Sequence, residues 1–166
     1  MFGMRERPAE PLLEIEDVLP ILNQIAIFGG LTDTQLYVVF RLLEKIRVHK
    51  GDFIFEKGDS PSHMYIVWKG RVELLLGAGG RYLAEMVFGV GDCFGETSVI
   101  GIQPHSASAM AVEDTELIAL SRAALFTIWE QDKELFGVLV LNIAREACRR
   151  LNRADEILLH YFAQQL

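Results

Sequence analysis

Between residues 46 and 120 a glycine-bearing turn interrupts the chain again and again, and this limits the fold more than any other feature. The turns are Lys50-Gly51-Asp52, Lys57-Gly58-Asp59, Lys69-Gly70, Gly77-Ala78-Gly79-Gly80 and Gly91-Asp92. The segments between them are too short for stable helices and are rich in β-branched and aromatic residues: Ile46–His49, Phe53–Phe55, Met64–Trp68, Arg71–Leu76 and Arg81–Phe88. Turn signals recurring every 8–12 residues or so predict an antiparallel sandwich or barrel. Ser106–Val112 and Glu116–Leu120, separated by Glu113-Asp114, add two more predicted strands.

The flanks have a different period. Leu12, Ile15, Leu19, Leu22, Ile25 and Ala26 fall at helical spacing and predict a helix over 12–28, stopped by Gly29-Gly30. Thr32 and Gln35 fit a capping box, which predicts a second helix running to about Lys45. Ser121 is the predicted N-cap of a helix to about Trp129, and a long helix follows from about Lys133 to the C-terminus. The predicted fold class is α+β, mainly β: a double-stranded antiparallel β-helix or jelly-roll barrel flanked by N-terminal helices and a long C-terminal helix. Its parts are a flexible arm (1–11), N-terminal helices (12–45), the β-roll (46–120) and C-terminal helices (121–166).

Composition excludes several functions. The chain has 166 residues, of which 51% are hydrophobic and 23% charged, which is enough for one folded domain. Its net charge of −7 does not attract nucleic acid. Two cysteines, Cys93 and Cys148, form no Cys-x-x-Cys pair, and the four histidines show no zinc spacing, so reduced thiols in a cytoplasmic protein are expected. The first eleven residues do not read as a secretory signal, and no apolar run approaches the 18 or so residues needed to span a bilayer.

In the long helix, Leu141, Ala144, Cys148, Leu151, Asp155, Leu158 and Phe162 alternate at intervals of three and four. This heptad-like stripe either packs on the chain's own barrel or forms the seam of a homodimer, and the reading carried forward is a homodimer through the C-terminal helix. Arg145, Arg149, Arg150 and Arg153 make a basic face on the same helix and are expected to be solvated.

Residues 91–109 carry the chemistry. A turn at Gly91-Asp92 precedes Phe94-Gly95-Glu96, a few helix-compatible residues, and then Pro104. Glycine lets a backbone approach a ligand, helix-start amides favour an anion, and Glu96 accepts hydrogen bonds from hydroxyls. Such a set suits a ligand with a negative group and hydroxyls, such as a sugar phosphate. It also suits a plain strand-to-strand connection. The glycines at 77–80 match neither Gly-x-Gly-x-x-Gly nor a phosphate loop and predict a hairpin turn.

Taken together, Ile27-Phe28-Gly29-Gly30-Leu31-Thr32, Lys50-Gly51-Asp52-Phe53-Ile54, Lys57-Gly58-Asp59, Met64–Val72 and Gly91–Glu96 resemble the cyclic-nucleotide-binding domain family over about residues 20–155. This is the β-roll shared by catabolite activator proteins, regulatory subunits of cAMP-dependent kinase and cyclic-nucleotide-gated channels. The resemblance implies that Phe94, Gly95 and Glu96 lie at the cassette, with Gly95 and Glu96 meeting the ribose. It implies that the amides of Thr97 and Ser98 face the cyclic phosphate. The family's Pro-Arg-(Ser/Thr/Ala)-Ala run falls on Pro104, His105, Ser106 and Ala107, so histidine stands where the phosphate-binding arginine belongs. Losing that charge-assisted fork should cost about 2–4 kcal/mol of affinity. The adenine-facing Thr-Ser pair of the activator branch falls on Ala154 and Asp155, and Asp155 could accept from an exocyclic amine. The winged helix-turn-helix that follows the long helix in that branch's transcription factors has no counterpart in this sequence.

The function expected is a stand-alone regulatory or sensor module, not an enzyme. It binds a cyclic mononucleotide (cAMP or cGMP) or another small anion and signals through the C-terminal helix to an unspecified protein partner. The alternatives are a ligand-free roll acting as a homodimeric docking module, and a haem or redox sensor using Cys93 and His105. An enzyme reading could use Glu96 with His105 as an acid–base pair in a closed pocket, but nothing in the sequence supplies a substrate.

Overall fold

The computed structural model describes residues 10–11, 22, 24–78 and 81–163. Along the chain these form β1 (Glu10–Pro11), a 3-10 turn (Ala26–Phe28), α1 (Asp33–Phe40), β2 (Leu43–Val48), β3 (Phe53–Phe55), β4 (His63–Lys69), β5 (Val72–Ala78), β6 (Arg81–Phe88), β7 (Cys93–Phe94), α2 (Glu96–Gly101), β8 (Ser108–Ala111), β9 (Thr115–Ser121), α3 (Arg122–Gln131) and α4 (Lys133–Ala163). Two antiparallel sheets, ordered β1-β2-β9-β4-β7 and β3-β8-β5-β6, make the roll. This is the mainly β architecture expected, with helices on one side.

Alternation along the two central strands explains the layering. In β4, Tyr65 and Val67 point between the sheets, whereas Met64 and Ile66 point at the helices. In β9, Leu117 and Ala119 face inward, and Ile118 and Leu120 face the helices. Both faces of this sheet are therefore covered, which is why these strands read as nearly continuous apolar runs. The inner layer is aromatic, built on Phe55, Tyr65, Phe88 and Phe94. The outer layer joins Leu36, Val39 and Phe40 of α1 to Leu125 and Ile128 of α3 and to Leu135, Leu139 and Ile143 of α4. Each such side chain stabilises the fold by roughly 1.5–3 kcal/mol.

The capping box at α1 is present: the Thr32 hydroxyl accepts from the Gln35 amide and the Gln35 side chain accepts from the Thr32 amide. The helix stops at Phe40, short of the predicted Lys45, because Leu43–Val48 pairs residue for residue with Thr115–Leu120 of β9. Tertiary pairing here overrides helical propensity. The predicted strand over 106–112 shortens to Ser108–Ala111, and Cys93-Phe94, just after the predicted Gly91-Asp92 turn, forms a short strand against Tyr65 and Ile66. Most of the helix expected over 12–28 lies outside the described residues, as do Gly79 and Gly80 of the predicted hairpin turn. Ser121 caps α3 by accepting from the Ala124 amide. Asp132 ends α3 and starts α4, its carboxylate accepting from the Leu135 amide at 2.9 Å.

Asn142 fixes α4 to the N-terminal segment. It is buried, its amide group donates to the carbonyls of Ile27 and Gly29, and its oxygen accepts from Arg145. No helix among the described residues is long and apolar enough to cross a membrane.

Gly70 allows the β4–β5 turn to close on β9. Its φ is +93°, and a Cβ there would sit 2.5 Å from the Thr115 hydroxyl and 2.8 Å from the Asp114 carbonyl oxygen. Gly70→Ala is therefore expected to destabilise the protein by about 2 kcal/mol or more, measured by chemical denaturation.

Candidate ligand site

Glu96, the first residue of α2, is 0% exposed. Gly95, immediately before it, has φ +80°, and a Cβ on it would meet the His63 carbonyl oxygen at 3.1 Å and Tyr65 Cδ2 at 3.3 Å. Glycine is what lets the chain turn tightly over β4 and drive the glutamate inward. Phe94 fills the roll beneath, with its ring stacked on Tyr65 and on Phe88.

A buried carboxylate needs a countercharge. Arg150 of α4 supplies it, with Nη1 donating to Glu96 Oε1. The guanidinium also lies over the Phe88 ring, 5.1 Å from its centroid. Burial pushes the Glu96 carboxyl above the usual carboxylate range, and the Arg150 charge and hydrogen bond pull it back. Each partner keeps one unused buried group: Glu96 Oε2 accepts from nothing and Arg150 Nε donates to nothing among the described residues. The sequence reading left Arg150 on a solvated face. The missed signal was an arginine on the helix that has to cover a buried cassette glutamate.

The other expected site residues lie in three places: α2, the entry to β8, and α4. Thr97 is exposed at the start of α2. The backbone of Ser98 lies in the same helix, and its side chain is outside the described set. Ser106 is exposed and Ala107 is buried where the chain enters β8. Asp155 is exposed on α4, beyond Arg150.

His105 is inside the roll. It is 6% exposed, and its ring stacks on Phe55 with centroids 3.6 Å apart and planes 11° from parallel. Its amide donates to the Asp59 carbonyl at 3.0 Å and its carbonyl accepts from the Gly58 amide at 2.8 Å, so the Lys57–Asp59 turn clamps the end of the cassette. Burial lowers its pKa, with Asp59 opposing. A neutral, stacked imidazole replaces the permanent charge an arginine would bring.

Two of the alternative readings do not fit this geometry. Cys93 belongs to the layer between sheet and helices, whereas His105 stacks on Phe55 within the roll, so the two face different layers and are not placed to share a haem iron. Burial and the neighbouring carboxylates also push the Cys93 thiol far up, away from thiolate. Glu96 and His105 have separate partners, Arg150 and Phe55, and do not form an acid–base pair. The described residues contain no group of three or more His, Cys, Asp or Glu that could hold a metal ion.

A cleft of about 230 Å³ opens between β6 and α4, beside the Glu96–Arg150 pair. Met86, Val87 and Phe88 form its floor, Asp92 and Cys93 one side, and Glu146, Arg149, Arg150 and Arg153 the helix wall.

Residues 45–132 match a family model described as the cyclic nucleotide-binding domain. The chain belongs to the cyclic nucleotide-binding domain family. This cyclic nucleotide-binding domain is 34% identical over 132 residues to a Thermus thermophilus protein named cyclic AMP receptor protein, an overlap that covers 78% of this chain and 58% of that protein. It is 34% identical over 96 residues to the cAMP-dependent protein kinase regulatory subunit of Eremothecium gossypii, covering 58% of this chain and 20% of the relative. A solved cyclic nucleotide-binding domain from Methylobacillus flagellatus superimposes with a TM-score of 0.79 at 21% identity, covering 89% of this chain and 83% of that one, a likeness of fold. The domain thus spans less than two thirds of the length of these two curated relatives.

The depressed pKa of His105 has a stability consequence. Below its unfolded-state value of 6.5 the unfolded chain takes up a proton that the folded, buried ring resists, so this residue's contribution to stability falls as pH falls. His105→Phe keeps an aromatic ring on Phe55 and removes the titration. The denaturation free energy of the wild type relative to this variant is expected to drop between about pH 7 and about pH 5, with the effects of His63 and Glu96 cancelling in the difference.

Proposed function

We propose that the domain is a regulatory module that binds a cyclic mononucleotide, or a comparable small anion with hydroxyls, at the Gly95–Glu96 cassette and reports occupancy through α4. The observation that carries this is the incomplete Glu96–Arg150 pair. One buried acceptor and one buried donor stand unused in the same ion-paired group. Each costs about 1–3 kcal/mol while unmet. A ligand hydroxyl is both donor and acceptor, and a single one between them satisfies Glu96 Oε2 and Arg150 Nε together. Ligand binding then stabilises the docked position of α4, because the arginine belongs to that helix. A ligand shifts an equilibrium only by such differential affinity. The cassette amides of Thr97 and Ser98, together with Ser106, provide further polar contacts. The module acts by binding rather than catalysis, in the cytoplasm, on a protein partner.

Homodimerisation through α4 belongs to the same reading. The heptad-like positions Leu141, Cys148, Leu151, Asp155, Leu158 and Phe162 are all exposed, with Leu151 at 62% and Phe162 at 60%. An apolar stripe continuing past the roll is the seam geometry of a two-stranded coiled coil. Cys148 lies in it, unpaired and exposed. Mild oxidation is expected to give a covalent dimer that Cys148→Ser abolishes. A strict monomer in sedimentation at high concentration rules out this part of the proposal.

One observation favours a second reading, a ligand-free docking roll: His105 and the rings of Phe55, Tyr65 and Phe94 fill the interior, and no arginine stands at position 105. Titration with cAMP and cGMP decides between them. Saturating ligand is expected to raise unfolding stability, by about 2.7 kcal/mol at a hundredfold excess over Kd. Glu96→Gln, which weakens the acceptor and leaves Arg150 uncompensated, is expected to lower affinity by about tenfold or more. No stabilisation by either nucleotide at millimolar concentration favours the docking roll.

A further inference from the structure

We infer that the anionic group of the ligand is held from the long helix, at Arg149 and Arg153, rather than at position 105 of the cassette. The inference rests on the cassette being a ligand site, and it specifies how that ligand is oriented.

Three observations converge. First, the cassette lacks a cation where one would face a phosphate: His105 is buried, stacked on Phe55, and held by two backbone bonds to the Gly58–Asp59 turn. Second, the unused Glu96 and Arg150 groups fix where a ligand hydroxyl goes, and Arg150, one of the two, lines the cleft under α4. Third, the helix wall of that cleft carries Arg149, Arg150 and Arg153 against two lining carboxylates, Asp92 and Glu146, in a chain whose net charge is −7. Asp92 is engaged by the Gly89 amide, and Glu146 by Arg149. Arg153 has no ion-pair partner among the described residues and lies one helical turn beyond Arg149 on the same face. Arginine is the side chain best matched to phosphate.

The floor of the cleft completes the ligand's description. Met86 and Val87 give the strand side of the cleft apolar surface, and the Phe88 ring is already covered by the Arg150 guanidinium, so the body of a ligand lies beside that pair while its anion meets the helix. A cleft of about 230 Å³, open to solvent, has room for a small organic anion. In this orientation the anion bears directly on the output helix. Arg149 must then be shared between Glu146 and the ligand, so binding reorganises the helix face.

Calorimetric titration with cAMP, together with NMR of the arginine Nε–H resonances titrated with inorganic phosphate, tests the assignment. Arg153 is exposed, so Arg153→Gln is expected to fold normally, as checked by circular dichroism. The exposed Arg41→Gln controls for the change in net charge. Arg153→Gln is expected to weaken cAMP binding by about tenfold, and Arg41→Gln by less than about twofold. Arg153→Gln affinity within about twofold of the wild type overturns the assignment, and a gain in His105→Arg then places the anion at the cassette. If the wild type binds neither cAMP nor cGMP, the cyclic-nucleotide reading fails on its own. Phosphate alone then decides: a saturating shift of the Arg153 resonance, absent in Arg153→Gln, upholds an anion site on the helix, and no saturating shift overturns it.

Discussion

A carboxylate with no exposure to water is unstable as an ion unless something charged is brought to it, and Glu96 is such a group. Its partner comes from a helix that starts 37 residues later in the chain, at Lys133. The Glu96–Arg150 contact therefore constrains more than one side chain. It requires the cassette to be folded inward by Gly95, and it requires α4 to lie across the mouth of the roll at a fixed height. Phe88 serves both sides, as a wall of the aromatic interior and as the surface under the Arg150 guanidinium. Removing either charge would leave the other buried and uncompensated, which is costlier than never having the pair.

The rest of the architecture holds that helix in place. Asp132 sets where α4 begins, Leu135, Leu139 and Ile143 pack it on the outer face of the β4–β9 sheet, and Asn142 ties it to the carbonyls that end the 3-10 turn. These anchors all lie in the first half of the helix, up to Arg150. Beyond it the helix exposes Leu151, Ile157, Leu158, Leu159 and Phe162. The anchors divide the helix into a half docked on the roll and a half whose apolar side chains are exposed.

Much of the fold was legible because its signals are local. Turn glycines at Gly51, Gly58, Gly70 and Gly91 all take positive φ, a conformation a sequence can announce. The Thr32–Gln35 box and the Ser121 cap are likewise made by residues three apart. The end of α1 was misjudged because Leu43–Val48 is set by pairing with β9, more than sixty residues away in the chain. The site divided in the same way. Gly95 and Glu96 could be placed from the cassette's own pattern, and the substitution at position 105 showed that a charge was missing. Arg150 could not be distinguished from Arg145, Arg149 and Arg153, because which arginine on a helix turns inward depends on how the helix rotates against the sheet. Nor does sequence show that His105 stacks on Phe55, since that depends on how β3 and the cassette's end meet across the roll.

His105 and Arg150 together change how the domain can respond. A fixed cation in the cassette would let the cassette bind an anion by itself and communicate afterwards. Here the cassette's own cationic position is occupied by a neutral ring packed against an aromatic layer, and the guanidinium groups near the buried glutamate all belong to α4. On the proposed reading, a ligand at this site uses the helix as part of the site. Occupancy and helix position then become one equilibrium rather than two linked ones, because the groups that recognise the ligand move with the element that reports it. On the proposed reading the coupling is strong where the helix is docked, around Asn142 to Arg153, and its output is read where the helix leaves the roll, along the exposed stripe that begins at Leu151.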